Sequence, residues 1–324
     1  MPDWFRRRPR EDQDGANDKS APAPASVVEA VPEGTFTKCA KCGAILFTKD
    51  FERDLKVCAK CGHHHRLTAD ERIAWTVDEG SFVEFGNDIT ALDPLGFPEY
   101  SRKLELGRSD PNGRNDGLVT GTAQIGGNLC VFGVVDFFYA RLAGTMGSVF
   151  GEKFMRAADK AITENLPFVL FCASGGARMQ EGLLGLMQMA KTGASVAQLA
   201  EARIPYICVL TDPTIGGALA SYASLGDVIY AEPGANVALA GTRVAQQAQT
   251  QKPPANYQTS EFQWEHGFID KVVPRKEIAI TLSRTLTFFA GGIASQTETK
   301  ASPVLVTPPD SPTAAKRNGA EGGH

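Results

Sequence analysis

The chain has 324 residues, of which 43% are hydrophobic, so it is long enough for one large domain with its own core plus a small module. Its formal charge of −4 and isoelectric point near 5.8 argue against a protein whose whole surface coats nucleic acid. No stretch approaches the roughly 18 consecutive apolar residues that a membrane helix requires, and acidic residues, not an apolar segment, follow the N-terminal arginines. We therefore expect a cytoplasmic protein without a membrane contact.

The composition divides the chain into four segments. Residues 1–34 and 296–324 lack apolar periodicity and are rich in proline and in small or charged residues, so we expect two disordered tails. Residues 35–66 are rich in cysteine and lysine, and residues 67–295 read as alternating strands and helices. The expected organisation is a small N-terminal module followed by one α/β domain.

Two Cys-x-x-Cys pairs lie in the small module. Cys39 and Cys42 are separated from Cys58 and Cys61 by fifteen residues, a spacing typical of Zn²⁺ held by four thiolates. A segment this short has little core, so the metal would supply most of its folding free energy. A dithiol redox site needs only one such pair. We therefore predict a zinc ribbon with one structural Zn²⁺ and these four cysteines as ligands.

The function of the ribbon stays open at this point. Its seven Lys and Arg residues, interrupted by acidic ones, are compatible with binding nucleic acid, whereas a lid or a partner contact needs no such ligand. The run His63–His65 could also offer a zinc ligand, but four thiolates already complete the shell.

The large segment predicts a regular alternation of elements in chain order. A hairpin over residues 121–138 is followed by a helix over 148–165, a buried strand over 168–172 and a long helix over 177–203. Strands over 205–210 and 227–231 flank a third helix over 217–225. This order predicts an α/β domain with a largely parallel sheet. The single cysteines in apolar runs are expected to be buried: Cys130, Cys172 and Cys208.

Two glycine pairs follow predicted strands at the start of predicted helices. Gly175–Gly176 precede the long helix, and Gly216–Gly217 precede the next one. Unpaired N–H groups at a helix N-terminus favour negative charge and can form an oxyanion hole for a thioester that becomes an enolate. Tight turns alone would also explain the glycines. The domain has one histidine, His266, and no Gly-x-x-x-x-Gly-Lys-Ser/Thr loop for ATP phosphates.

Longer motifs around these positions resemble one family. The chain resembles the carboxyltransferase β subunits of bacterial and plastid acetyl-CoA carboxylase from about Cys39 to Arg275. The motifs that carry the resemblance are Met146–Phe154, Ser174–Gly182, Leu186–Lys191, Leu210–Pro213, Leu225–Asp227, Ala231–Pro233, Glu265–Gly267 and the paired cysteines.

The resemblance implies a crotonase-like (Clp/crotonase) spiral of ββα units and transfer of a carboxyl group from carboxybiotin to acetyl-CoA. The product would be malonyl-CoA, in the first committed step of fatty acid synthesis. It further implies an α subunit that completes the active site in an α2β2 heterotetramer. Biotin would arrive on a separate biotin carboxyl carrier protein, loaded by biotin carboxylase in an ATP-dependent holoenzyme.

Residue by residue, the resemblance implies that Gly175 and Gly176 hold the thioester oxygen as the enolate forms. Gly216 and Gly217 would line the site, and the ureido group of biotin would remove the acetyl proton. Arg178 and Lys153 are candidates for contacts with the CoA phosphates, with an exposed or core-capping role equally open.

Three positions depart from the family pattern, and two other functions remain open. Thr242 stands where proline is expected, residues 136–144 differ from the usual aromatic and glycine run, and His65 replaces an aromatic residue. One alternative is another crotonase-like enzyme, a hydratase, decarboxylase or Clp-type protease, with Glu181 or His266 in acid–base chemistry. The other is a nucleic-acid-binding ribbon on an α/β scaffold.

Overall fold

The structure is a computed structural model that describes residues 32, 34–109, 111–240, 253–254 and 256–298. Most of the two predicted tails and the loop with Thr242 lie outside these residues. Three short elements form the ribbon: β1 (Phe36–Lys38) and β2 (Ile45–Phe47), which pair antiparallel, and α1 (Thr48–Arg53).

The rest of the described chain folds as strands and helices in alternation. In chain order these are α2 (Ala69–Thr76), β3 (Val83–Phe85), α3 (Tyr100–Arg108), β4 (Leu118–Ile125), β5 (Asn128–Val135), α4 (Ser148–Glu164), β6 (Phe168–Ser174), α5 (Leu183–Glu201), β7 (Tyr206–Ile215), β8 (Val228–Ala231), β9 (Val237–Ala238), α6 (Ser260–Glu265), β10 (Lys271–Val272) and α7 (Arg275–Glu298). Among the described residues, no helix combines the length and apolar composition needed to cross a bilayer.

Eight strands form one mixed sheet in the order β10-β8-β7-β6-β5-β4-β3, with β9 paired to β7. The strands from β5 to β10 pair in parallel, and β3, β4 and β5 pair antiparallel. The predicted α/β domain with a largely parallel sheet is therefore confirmed. Because β6 and β7 are parallel neighbours, the loops that follow them lie at the same edge of the sheet.

Helices cover both faces of the sheet, so two apolar cores form. On one face α4 buries a stripe at helical spacing, with Phe150, Phe154, Ala157 and Ala161 all inaccessible to solvent. On the other face α7 packs against β4 and β5. The predicted burial of the three single cysteines is confirmed, and burial raises the pKa of the Cys130 thiol to about 12.

Two predicted helices differ from the structure at the glycine pairs. The long helix begins at Leu183 rather than Ala177, because Ala177 forms a parallel bridge with Met146 and Arg178 is extended (ψ 99°). The third predicted helix is reduced to a turn and a short 3₁₀ segment, since Ser221 (φ −127°, ψ −101°) leaves the helical region. Neither glycine pair therefore lies directly at a helix N-terminus.

One buried cluster holds the ribbon on the α/β domain. Arg275, the first residue of α7, donates from both Nη atoms to ribbon carbonyls, at 2.7 Å to Leu55 and 2.8 Å to His65. The same guanidinium binds both carboxylate oxygens of Glu232, at 2.8 and 2.7 Å. Arg72 approaches Glu232 from α2, at 2.8 Å. We call Arg72, Glu232 and Arg275 the Glu232 cluster; each member is at most 5% exposed.

The cluster predicts a strong loss of stability in Glu232→Gln. The change would leave two buried arginines without their counter-charge, so we expect about 3 kcal/mol of destabilisation by urea unfolding. The matched control is Asp50→Asn, which breaks an exposed ribbon pair with Arg53 and should change stability by less than about 0.5 kcal/mol.

Glu232 also predicts how the stability of the fold changes at acidic pH. Burial alone would raise the pKa of Glu232, but the charges of Arg72 and Arg275 outweigh it and lower that pKa to about 2. A carboxyl group with a pKa below its unfolded value, near about 4.3, stabilises the fold above that pH and loses this effect as pH falls toward 2. The stability of wild type should therefore fall more steeply over this range than that of Glu232→Gln. Parallel curves would contradict the assignment.

Candidate functional site

The four predicted ligand cysteines converge in the ribbon. Their Sγ atoms all lie within 4.8 Å of one another, and the pairs Cys39–Cys61 and Cys42–Cys58 are 3.8 Å apart. Four thiolates at the usual Zn–S distance of about 2.3 Å form a tetrahedron with edges of about 3.8 Å. The donor set and its spacing therefore fit one tetrahedral Zn²⁺ and leave no position for a histidine ligand.

The histidines after the second knuckle have structural partners instead. The Nε2 atom of His64 lies 3.3 Å from the backbone N–H of Arg275 and accepts from it. Its Nδ1 atom then carries the proton and donates to the Gly62 carbonyl at 3.0 Å. This imidazole thus connects the second zinc knuckle to the start of α7.

The first glycine loop is tied to the segment before α4. The N–H of Gly175 donates to the Ala143 carbonyl at 2.9 Å, and the N–H of Gly176 donates to Ser174 Oγ at 3.1 Å. Gly175 is exposed, whereas Gly176 is buried with φ +113°, a conformation that favours glycine. Both N–H groups are thus already used inside the loop, which leaves neither of them free for a ligand oxygen in this arrangement.

The second glycine loop passes so close to the first that backbone atoms of the two loops nearly touch. The N–H of Gly216 donates to the Ala238 carbonyl at 2.9 Å. A Cβ atom added to Gly217 would lie 3.2 Å from the Ala177 nitrogen, and one added to Gly176 would lie 3.2 Å from the Gly217 nitrogen. Glycine at these positions lets the two loops meet.

Two N–H groups at this crossing have no acceptor among the described residues. They belong to Ala177 and Gly217, both partly exposed. Sequence reasoning missed Ala177, because glycines mark where a loop approaches closely but not which amides remain unpaired. Its only sequence signal is its place directly after the first glycine pair.

The predicted contact between Arg178 and a CoA phosphate does not fit its position. The side chain is 1% exposed, donates from Nη2 to the Thr145 carbonyl at 2.6 Å, and lies 2.9 Å from Asp116 and 3.4 Å from Glu181. Glu181 in turn accepts from the Ser148 N–H at 2.6 Å, at the first turn of α4. Arg178 therefore joins the first glycine loop to α4 from inside the core.

Lys153 is also buried, so a phosphate contact is not available to it either. Its Nζ atom, on α4, donates to Asn87 Oδ1 at 3.0 Å, and the residue has no exposed surface. Burial lowers the pKa of Lys153, while Asp116 and Glu84 oppose that shift. Both cations were candidates within the family resemblance, with a core-capping role equally open, and a residue's type does not distinguish an inward side chain from an outward one.

Glu181 and His266, the two candidates for acid–base chemistry, both form structural contacts. Both oxygens of Glu181 are hydrogen-bonded, one to Tyr100 Oη at 2.5 Å and the other to the Ser148 N–H. His266 is exposed at the end of α6, where its ring stacks on Phe262 at 4.0 Å and Nδ1 lies 2.7 Å from the carbonyl of that residue. Glu181 therefore presents no unengaged carboxylate oxygen to the glycine loops.

Comparison with known proteins identifies the family. Residues 63–311 match the carboxyl transferase domain, and residues 36–61 match the acetyl-CoA carboxylase zinc finger domain. The chain is 50% identical over 256 residues to the acetyl-coenzyme A carboxylase carboxyl transferase subunit beta of Desulforamulus reducens, covering 79% of this chain and 88% of that one. The subunit from Pelotomaculum thermopropionicum is 49% identical over 263 residues, covering 81% and 92%.

The chain belongs to the family of acetyl-CoA carboxylase carboxyltransferase β subunits. It is accordingly a transferase of fatty acid synthesis that carries a structural zinc ribbon, as the motifs predicted. In this enzyme, biotin is held on a separate carrier.

Solved structures agree on the fold. Transcarboxylase 12S matches with a TM-score of 0.59 at 23% identity, over 73% of this chain and 44% of that one. The Pseudomonas malonate decarboxylase MdcD-MdcE heterodimer matches with a TM-score of 0.53 at 23% identity, over 69% and 86%. The chain thus spans less than half of the transcarboxylase chain. The predicted crotonase-like fold is confirmed.

The metal centre predicts that Cys39→Ser loses zinc. Serine does not supply a thiolate, so zinc measured by atomic emission should fall from one ion per chain to nearly none, and limited proteolysis should then cut the ribbon. Cys130→Ser, in the sheet core, is the control and should keep its zinc. Full zinc in Cys39→Ser would rule out a shell of four thiolates.

Proposed function

We propose that the crossing of the two glycine loops is the oxyanion site of carboxyl transfer to acetyl-CoA. The N–H groups of Ala177 and Gly217 donate to the thioester oxygen as it gains charge. Gly175, Gly176 and Gly216 shape the loops that carry these donors. The observation behind the proposal is the pair of unengaged amides, side by side at the edge of β6 and β7.

The chemistry assigned to this chain is electrostatic. Carboxybiotin on its carrier supplies both the carboxyl group and, once CO2 leaves, the ureido base that takes the acetyl proton. The electrons of that C–H bond pass into the thioester as an enolate, whose carbon then bonds to CO2. Fixed N–H donors lower the free energy of the enolate, and each such donor is typically worth about 10²- to 10³-fold in rate.

We assign the completion of this half-site to a carboxyltransferase α subunit in an α2β2 assembly. The biotin carboxyl carrier protein and biotin carboxylase are the further partners. Support comes from an exposed apolar surface beside the loops, which we call the α5 surface. Its side chains are 50–71% exposed and comprise Met179, Leu183, Leu184, Leu186 and Met187. Clustered exposed apolar side chains of this kind mark protein interfaces.

The positive charge of the ribbon is partly neutralised by acidic partners, while four of its lysines are exposed: Lys38, Lys41, Lys49 and Lys60. Three of its basic residues are paired with carboxylates: Arg53 with Asp50, Lys56 with Glu71 and Arg66 with Asp212. The nucleic-acid hypothesis stays a prediction, to be tested by the salt dependence of binding after neutralising Lys41, Lys49 and Lys56.

The oxyanion assignment predicts the effect of Gly217→Ala on transfer between malonyl-CoA and biocytin, measured with the α subunit present. The new methyl group would lie 3.1 Å from Met189 Sδ and 3.2 Å from the Ala177 nitrogen without backbone strain, so kcat should fall about 100-fold while the complex still forms. The control is Gly291→Ala in α7, where an added Cβ meets nothing within 4 Å and activity should not change. Unchanged kcat in Gly217→Ala would exclude the crossing as the oxyanion site, and an inactive wild-type complex would exclude the whole proposal.

The α5 surface predicts the effect of Leu183→Asp with Met187→Asp on assembly. Two charges in an apolar interface should weaken binding of the α subunit at least 100-fold by analytical ultracentrifugation, with the fold of this chain intact. Leu129→Asp is the control, since this exposed residue is the second of β5, at the opposite edge of the sheet. If wild type, the double variant and Leu129→Asp all bind the α subunit equally, the partner binds at another surface.

A further inference from the structure

The ribbon contacts β7, the strand that leads into the second glycine loop, through one carboxylate. Arg66, the last ribbon residue, donates from Nε to the Asp212 carbonyl at 3.0 Å and to Asp212 Oδ2 at 3.2 Å. Its Nη2 atom donates to the same Oδ2 at 3.1 Å. The guanidinium also lies over the ring of Phe137, 4.1 Å from its centroid. Arg66 is thus held on two sides at the carboxyl ends of β5 and β7.

The other oxygen of Asp212 holds the strand that supports the loop. Asp212 Oδ1 accepts from the Asn236 N–H at 3.2 Å, and the Asn236 carbonyl accepts from the Thr214 N–H at 2.8 Å. Two residues later, the Ala238 carbonyl accepts from the Gly216 N–H. A continuous set of hydrogen bonds therefore runs from Arg66 through Asp212 and β9 to the residue before Gly217.

An open cleft lies beside this contact. Its volume is about 530 Å³, and its lining includes Phe51, Lys56 and Arg66 of the ribbon together with Phe138 and Asp212 of the domain. The Glu232 cluster fixes the ribbon from its other side. The hydrogen bonds at Asp212 are therefore a direct connection from the ribbon to the strand that leads into the glycine loop.

We propose that Asp212 is a positioning residue that links the docked zinc ribbon to the Gly217 N–H. The inference rests on the proposed oxyanion site and adds a structural element that sets the position of one donor. A donor displaced by a fraction of an ångström still permits substrate binding but stabilises the enolate less. Loss of the Arg66–Asp212 contact should therefore lower kcat with little change in KM.

The first experiment measures malonyl-CoA to biocytin transfer by the complete complex with Arg66→Gln, Asp212→Asn and the double variant. Each single variant should lower kcat about 10-fold, keep KM within about twofold and retain one zinc per chain. The double variant should be no worse than the worse single variant, because both break the same contact. Arg53→Gln, which removes an exposed ribbon charge paired with Asp50, is the matched control and should behave as wild type.

The second experiment does not depend on enzyme activity. Amide hydrogen exchange at Thr214 and Gly216 is followed in wild type and Asp212→Asn, before and after zinc removal by EDTA. In wild type, zinc removal should speed exchange at both amides several-fold. In Asp212→Asn, exchange should be fast already and respond little to EDTA.

The outcomes separate this inference from the proposed function. An inactive wild-type complex would overturn the proposed function itself. An active wild type that is impaired by Gly217→Ala, together with full kcat in Arg66→Gln and Asp212→Asn, would overturn only the role of Asp212. So would a fall in kcat that is matched by loss of zinc or of global stability, or exchange at Thr214 and Gly216 that does not respond to EDTA in wild type.

Discussion

The structure depends most on the close crossing of two loops at the carboxyl edge of β6 and β7. The main chains of Gly176 and Gly217 approach to a distance at which any Cβ would press on a backbone nitrogen. Such an approach leaves no room for a side chain on either glycine and brings backbone amides to the crossing. A site built from amides carries no net charge and does not titrate, so it favours a developing negative charge over a wide pH range.

Two buried ionic clusters keep this crossing in place. Burying ions is costly unless they are paired and hydrogen-bonded, so the clusters around Arg178 and Glu232 are evidence of fixed geometry more than of net stability. The first joins the loop after β6 to α4 through Glu181, and the second joins the ribbon to α2 and α7. In both clusters the charged side chains form structural hydrogen bonds and ion pairs. Cations that look like ligand contacts in the sequence therefore do not face a ligand.

Sequence patterns predicted the parts of the molecule that repeat or that a spacing rule defines. The stripe on α4 follows helical periodicity, and the cysteine pairs follow the spacing of a tetrahedral metal site. The start of α5 and the free amide of Ala177 depend on which hydrogen bonds neighbouring segments take, such as the bond from Gly175 to Ala143. Those pairings form between segments distant in the chain, so local sequence does not specify them.

The ribbon and the domain also share their stability. Arg275 is buried, and two of its acceptors are carbonyls of Leu55 and His65, which reach it only when the ribbon is folded. A ribbon without metal would withdraw them and leave buried N–H groups unpaired, at a cost of about 1–3 kcal/mol for each such group. Part of the free energy of metal binding thus stabilises the start of α7 and the carboxylate of Glu232. The ribbon is therefore an integral part of the domain's charge network, although its own core is too small to fold alone.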